Sequence, residues 1–179
     1  MRTNPDTLER SLKIYKGLVE VSALINSITD FHALIPAILD VARRVMNAES
    51  SSLFLVDENR DLRLAVARGP AGEVGSAGVI VPRGKGIAGW VMENHQSLLV
   101  PDAPADLRFY PEVDRLSGYT TRSILCVPLM SGNVEVGVLQ VLNPIGKSAF
   151  EELAVCYQGF RVSFKSAFCN ILQGCVQNA

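Results

Sequence analysis

The sequence predicts an α+β domain in which a central antiparallel sheet of about six strands carries terminal helices on one face and, on the other, a pocket closed by a short helix and a lid. Three observations predict it. Apolar residues recur at helical spacing towards both ends of the chain, two pairs of apolar strand-like runs between them are joined by turn residues, and a stretch rich in glycine, aspartate and proline separates the two pairs.

Residues Leu8 to Ile28 read as a first helix with two apolar stripes, one through Leu12, Tyr15 and Val19 and one through Ile14, Leu18, Val21, Ile25 and Ile28. One stripe serves the domain's own core. The other is accounted for by a second helical partner, either the C-terminal helix or another subunit, or the two together form one wide core-facing stripe. Thr29 or Asp30 caps a second helix that runs to about Met46 with Ile35, Ile38, Leu39 and Ala42 on its apolar side. The pattern then changes period. Ser51 to Asp57 and Leu62 to Ala67 read as antiparallel strands joined by the turn 57–61, and Gly69 to Gly78 reads as a loop.

Val79 to Val81 is a short strand feeding the turn Pro82 to Gly86, and a third helix follows from about Ile87 to Asn94. Ser97 to Val100 is another short strand. Pro101 to Ser117 is polar, with Phe109 and Tyr110 at its centre, and reads as an ordered lid containing one helical turn. Ser123 to Met130 and Val134 to Leu142 form a second hairpin about Ser131-Gly132-Asn133 and supply the central strands. A terminal helix is expected from Ala149 to about Leu172.

Composition restricts the function classes. The chain has 179 residues, of which 48% are hydrophobic and 20% charged, and this suits one packed domain rather than a disordered segment. A formal net charge of −1 gives no electrostatic reason to expect a nucleic-acid partner or a membrane surface. No apolar run spans a bilayer and the N-terminus carries no signal peptide, so a cytoplasmic location is expected. Cys126, Cys156, Cys169 and Cys175 lack Cys-x-x-Cys spacing, and His32 and His95 are far apart, so neither a metal nor another cofactor is expected. Cys126, inside an apolar strand, reads as a small buried hydrophobe.

The stretch Pro82-Arg83-Gly84-Lys85-Gly86-Ile87-Ala88-Gly89-Trp90-Val91 places glycines directly before a helix. There the backbone can approach a ligand closely and the first helical N–H groups are free donors, although the same glycines also suit a plain tight turn. Taken with Asp102, Asp106, Arg108-Phe109, Asp114 and the strand Thr121-Arg122-Ser123-Ile124-Leu125-Cys126-Val127-Pro128-Leu129, this stretch resembles the GAF family of sensory domains, over roughly residues 20 to 155. Within that family it is most similar to the GAF domains of cyclic-nucleotide phosphodiesterases and adenylyl cyclases.

The resemblance implies a GAF/PAS-like fold and a set of ligand-binding positions. Ser52 matches a ring-contacting serine, and Ile87 and Ala88 match backbone donors to a cyclic phosphate. Tyr110 matches an aromatic lid residue, Ser117 and Thr121 match hydroxyl donors, and Gln140 matches a carboxylate or amide that faces the ligand. Ala67 and Arg68 stand where cyclic-GMP binders of the family place an aromatic residue and an aspartate. Arginine only donates, so recognition of guanine's N1–H and amino group is not expected at that position. Arg68 instead either contacts an anionic ligand or pairs with Asp102, Asp106 or Asp114 to hold the lid. Asn143 and Phe150 keep part of a further family signature, in which Pro144 and Ala154-Val155 are departures. The cysteine- and phenylalanine-rich tail departs as well.

The resemblance thus implies a regulatory domain of a bacterial signalling protein that binds a small molecule such as a cyclic nucleotide and is not itself an enzyme. Residues 1–30 would form a signalling and dimerisation helix, 31–148 the sensory core and 149–179 a C-terminal helix leading to an output domain. A homodimer through the terminal helices is the expected assembly. Two alternatives are a dimerisation module with a vestigial pocket and an enzyme similar to methionine sulfoxide reductase that recruits Cys126.

Overall fold

The computed structural model describes residues 31–69, 72–74 and 78–150, together with isolated helical positions between 9 and 23. The expected C-terminal helix and three of the four cysteines lie outside the described residues. So does the second apolar stripe of the first helix.

Helix α1 (Phe31–Val45) leads into the hairpin β1 (Ala48–Val56) and β2 (Leu62–Gly69). Two short strands, β3 (Gly72–Val74) and β4 (Ile80–Val81), precede helix α2 (Gly86–Asn94) and strand β5 (Leu98–Val100). A six-residue helix α3 (Glu112–Ser117) ends the lid, and the long hairpin β6 (Ile124–Ser131) and β7 (Val134–Pro144) completes the order. The strands form one antiparallel sheet in the order β3-β2-β1-β7-β6-β5, with β4 pairing to β2. The expected sheet is therefore present. β1 starts three residues earlier than expected and β2 and β7 end two residues later because backbone pairing continues past the apolar runs, β4 and β5 each start one residue later, and part of the expected loop 69–78 is strand β3, too short for any side-chain alternation to announce it.

Each face of the sheet packs its own core. Leu53, Leu125, Val127, Leu129, Leu139 and Val141 meet Leu34, Ile35, Ile38, Leu39 and Ala42 of α1. Phe54, Leu62, Leu64, Ile124, Cys126 and Val138 meet Val81 and the α2 residues Ile87, Ala88, Val91 and Met92. Successive residues of a strand point to opposite faces, so β6 is buried from Ile124 to Met130 because both faces are covered. The isolated helical positions near the N-terminus lie against α1. Gly17 is buried, and a Cβ there would collide with Val45 Cγ2; Arg44 also donates to Glu20. Leu12, Tyr15 and Val19 remain 53%, 66% and 70% exposed.

One charged cluster ties loops to the β6–β7 turn. Glu135, at the start of β7, accepts from Arg60 of the β1–β2 turn at 2.7 Å and from Arg83 before α2 at 3.0 Å. His95 Nε2, at the left-handed C-terminus of α2, donates to it at 2.9 Å. With the His95 bond as the largest cause and Arg60 next, the Glu135 carboxyl is lowered to about 2.

Candidate functional site

A cleft lies between the sheet, α2 and the lid, with about 770 Å³ of space including its open mouth. Its floor is the sheet face carrying Ser50, Ser52, Phe54, Ala67 and Gln140. Its walls are Ile87 and Ala88 at the start of α2, Phe109 and Tyr110 of the lid, and the segment from Val113 to Thr121.

The start of α2 is built for close approach. Gly86 has φ +69°, and a Cβ there would lie 2.9 Å from Tyr110 Cβ, so only glycine lets the lid tyrosine rest on the helix start. Lys85, the residue before the helix, makes no side-chain capping bond. The first-turn N–H groups of an α-helix have no intrahelical acceptor and carry the positive end of its dipole. They stand at the cleft wall.

The lid is pinned at two points. Arg108 forms a two-pronged pair with Asp106, at 2.9 and 2.6 Å, and its guanidinium lies 4.8 Å from the centre of the Trp90 ring. Asp106 is held below the usual carboxylate range chiefly by that hydrogen bond. Further along, Asp114 accepts from the Thr121 N–H and from its hydroxyl, both at 2.6 Å. The Thr121 proton is therefore already committed, and what this hydroxyl shows the cleft is an oxygen lone pair. Ser117 is held more loosely, donating to the Asp114 carbonyl at 3.4 Å and accepting from the Tyr119 N–H at 3.3 Å.

Tyr119 and Asn143 join the lid to the sheet. Asn143 is fully buried with φ +54°. Its Oδ1 accepts from the N–H groups of Arg122 at 2.7 Å and Ser123 at 3.2 Å, while its Nδ2 donates to the Thr120 carbonyl at 2.8 Å and approaches the Tyr119 hydroxyl at 3.1 Å. The Tyr119 hydroxyl donates to Glu49 at 3.3 Å. Burial, then the nearby Glu49 charge, pushes this phenol up to about 12, so it stays protonated. Glu49 is lowered, first by the hydrogen bond from Arg122.

Of the residues expected at a ligand, Ser52, Ala67, Ile87, Ala88, Tyr110, Ser117, Thr121 and Gln140 line the cleft. Arg68 does not. It lies on the opposite face of the sheet, where its Nε and Nη2 donate to Asp40 of α1 at 3.2 and 2.8 Å. The pairing of Arg68 with Asp102, Asp106 or Asp114 is thus corrected: its carboxylate partner is on the helical layer. The register gives the reason. Leu62 and Leu64 face the cleft, and simple alternation would place Arg68 there too, but the β1–β2 pairing slips between Leu53 and Phe54. Ala65 and Val66 then both pack towards α1, Ala67 returns to the cleft beside Ser52, and Arg68 falls opposite Ser51, whose hydroxyl donates to Leu39 of α1.

The structure adds Ser50, Asp114 and Tyr119 to the lining. A carboxylate within a polar lid was visible in the sequence, but which aspartate turns inward depends on the helical turn of α3. Cys126 lies under the floor, fully buried, and burial pushes its thiol up to about 12. No helix among the described residues is long and apolar enough to cross a membrane.

Comparison with known proteins places these features. The family model of the GAF domain matches residues 30–172. A probable 3',5'-cyclic phosphodiesterase of Caenorhabditis elegans is 30% identical over 148 residues, covering 77% of this chain and 20% of the relative. A dual 3',5'-cyclic-AMP and -GMP phosphodiesterase 11A of Takifugu rubripes is 38% identical over 118 residues, covering 61% of this chain and 13% of the relative. The chain thus spans a fifth or less of the length of these relatives. Among solved structures, the GAF domain of an Acinetobacter phosphoenolpyruvate-protein phosphotransferase superposes with a TM-score of 0.74 at 20% identity, over 93% of this chain and 98% of that one. Free methionine-R-sulfoxide reductase from Neisseria meningitidis, solved in complex with its substrate, superposes with a TM-score of 0.75 at 19% identity, over 100% of this chain and 97% of that one. These structural likenesses establish the shared fold.

Proposed function

The chain belongs to the GAF domain family, and on that premise we propose that it is a small-molecule-sensing regulatory module whose cleft takes a cyclic nucleotide and which performs no chemistry itself. The observation that carries this reading is the composition of the cleft walls. An uncapped helix start under Tyr110 suits the cyclic phosphate, while Ser117, Thr121 and Asp114 offer a set of oxygens suited to a ribose hydroxyl. The relatives named as cyclic-nucleotide phosphodiesterases support the same ligand class.

In this reading residues 31–148 are the sensory core, and the helices on either side relay its state to an output domain of a larger cytoplasmic protein. Leu12, Tyr15 and Val19, exposed along one helical stripe, support a homodimer through those helices. A ligand that binds the closed lid better than the open one would shift the population of the two states by its difference in affinity. The reductase reading is less well supported. A nucleophilic thiolate needs exposure and nearby positive charge, and Cys126 has neither a solvent path nor a lowered pKa.

Thermal unfolding tests the proposal. At a concentration of about 100 times its dissociation constant, a bound cyclic nucleotide stabilises the fold by about 2.7 kcal/mol and raises the melting temperature. No shift with cyclic AMP or cyclic GMP would overturn the cyclic-nucleotide reading. A shift with free methionine sulfoxide alone would favour the reductase.

A further inference from the structure

One carboxylate outside the cleft holds both ends of the helix that forms its wall. Glu135, at the start of β7, keeps 11% of its side chain exposed and does not line the cleft. Its Oε2 accepts from Arg83 Nη1 at 3.0 Å, and Arg83 lies in the turn that leads into α2. Its Oε1 accepts from His95 Nε2 at 2.9 Å, and His95 is the residue that ends α2. An ionised carboxylate has no proton to give, so the imidazole is the donor. A helix of this length runs for about 13 Å, and the two contacts reach one side chain from its opposite ends. The turn before α2 has little stiffness of its own. Gly84 and Gly86 both take left-handed backbone, with φ +70° and +69°, and Lys85 gives the helix no side-chain cap. Arg83 ties that turn to the rest of the fold twice, through its N–H to Asp61 Oδ1 at 2.9 Å and through its guanidinium to Glu135.

We propose that Glu135 is a positioning residue for the cleft: by fastening α2 at both ends it fixes the helix start, Gly86 to Ala88, and so sets the affinity of a site it does not touch. This rests on the reading above that a ligand docks at that helix start. A wall already held in its bound geometry loses less freedom when the ligand arrives, and binding is tighter by that difference. Apolar packing alone does not fix the wall as sharply. Ile87, Ala88, Val91 and Met92 are buried against the sheet, but such contacts are non-directional, whereas hydrogen bonds to a carboxylate have a set length and angle. Arg60 plays a different part on the same carboxylate. It reaches Oε2 at 2.7 Å from the β1–β2 turn, so it secures that turn and not α2.

Hydrogen exchange of the ligand-free protein tests the fastening. Arg83→Met is expected to speed exchange at Lys85 and Gly89, whose N–H groups donate to Pro82 and Lys85 at the helix start. His95→Asn, which keeps a residue tolerant of the left-handed conformation, is expected to speed exchange at Glu93 and Asn94. Glu135→Gln, with size kept and charge removed, speeds both sets by at least about fivefold relative to the central strands β1 and β7, and Arg60→Met speeds neither. The amides of β1 and β7 report global unfolding, so a general loss of stability does not imitate this pattern. Titration calorimetry with cyclic AMP reads the consequence: affinity falls at least about fivefold in Glu135→Gln and in Arg83→Met, and keeps its unmodified value in Arg60→Met. Exchange at the ends of α2 that merely follows the central strands in Glu135→Gln, or an affinity that Glu135→Gln leaves unchanged, would overturn the positioning role and leave the cyclic-nucleotide reading standing. Absence of cyclic AMP binding to the unmodified protein would overturn that reading and the effect on affinity with it, and the exchange pattern would still decide whether Glu135 fastens α2.

Discussion

Cys126 and Arg68 show how far single residues can be read. An unbranched thiol between Leu125 and Val127 reads as a core residue, and the structure buries it completely. Burial withholds the charged form, so the thiol is pushed up to about 12 and is a poor nucleophile at neutral pH. Alkylation mapped residue by residue should therefore leave Cys126 unmodified in the native protein and modify it fully in denaturant; native labelling at the rate of a free thiol would revive an enzymatic role for it. Arg68 was not legible in the same way. Its face depends on the register slip between β1 and β2, and nothing in the run Leu62 to Gly69 declares that slip. Gln140 was expected at a ligand only through the family resemblance, and the structure places it on the cleft floor between Ser52 and Cys126.

At the scale of elements, the sequence announces strands and helices through their apolar period, while the contacts between loops emerge only in three dimensions. The hairpins about 57–61 and 131–133 are examples of the first kind. The Glu135 cluster is of the second kind, because Arg60, Arg83 and His95 come from three separate turns. It also sets an acid limit on the fold. Glu135 is lowered to about 2 from an ordinary value of 4.5, so between those values the unfolded chain takes up a proton that the folded chain does not. The stability this group contributes is fully present above about pH 4.5 and is lost as pH falls towards 2. Glu49 and Asp106 are lowered as well, so the wild-type slope has several sources. In Glu135→Gln, the urea midpoint should fall less steeply than in the wild type across that range, and identical slopes would show that Glu135 is not among the groups responsible.

For the whole molecule, one sheet covered on both faces explains why the fold class was legible while the pocket was legible only in part. Two apolar faces, one for α1 and one for α2 and the lid, follow from the fully buried run of β6 and from the order of the elements. The glycine turn before α2 and the aromatic pair of the lid pointed to the cleft walls. The inward turn of Asp114 and the Tyr119–Asn143–Glu49 junction did not, since they depend on where the short helix α3 ends. That junction makes the lid continuous with the end of β7, and six residues beyond that strand Phe150 donates its N–H to the Ser123 hydroxyl. A ligand seated against α2 and the lid should therefore slow motion in both at once. Hydrogen exchange of the free and the cyclic AMP-saturated protein measures this most directly. The account predicts slower exchange at Ile87 and Ala88 and across residues 109–121 in the saturated protein, whereas unchanged exchange in both segments under saturation would contradict it.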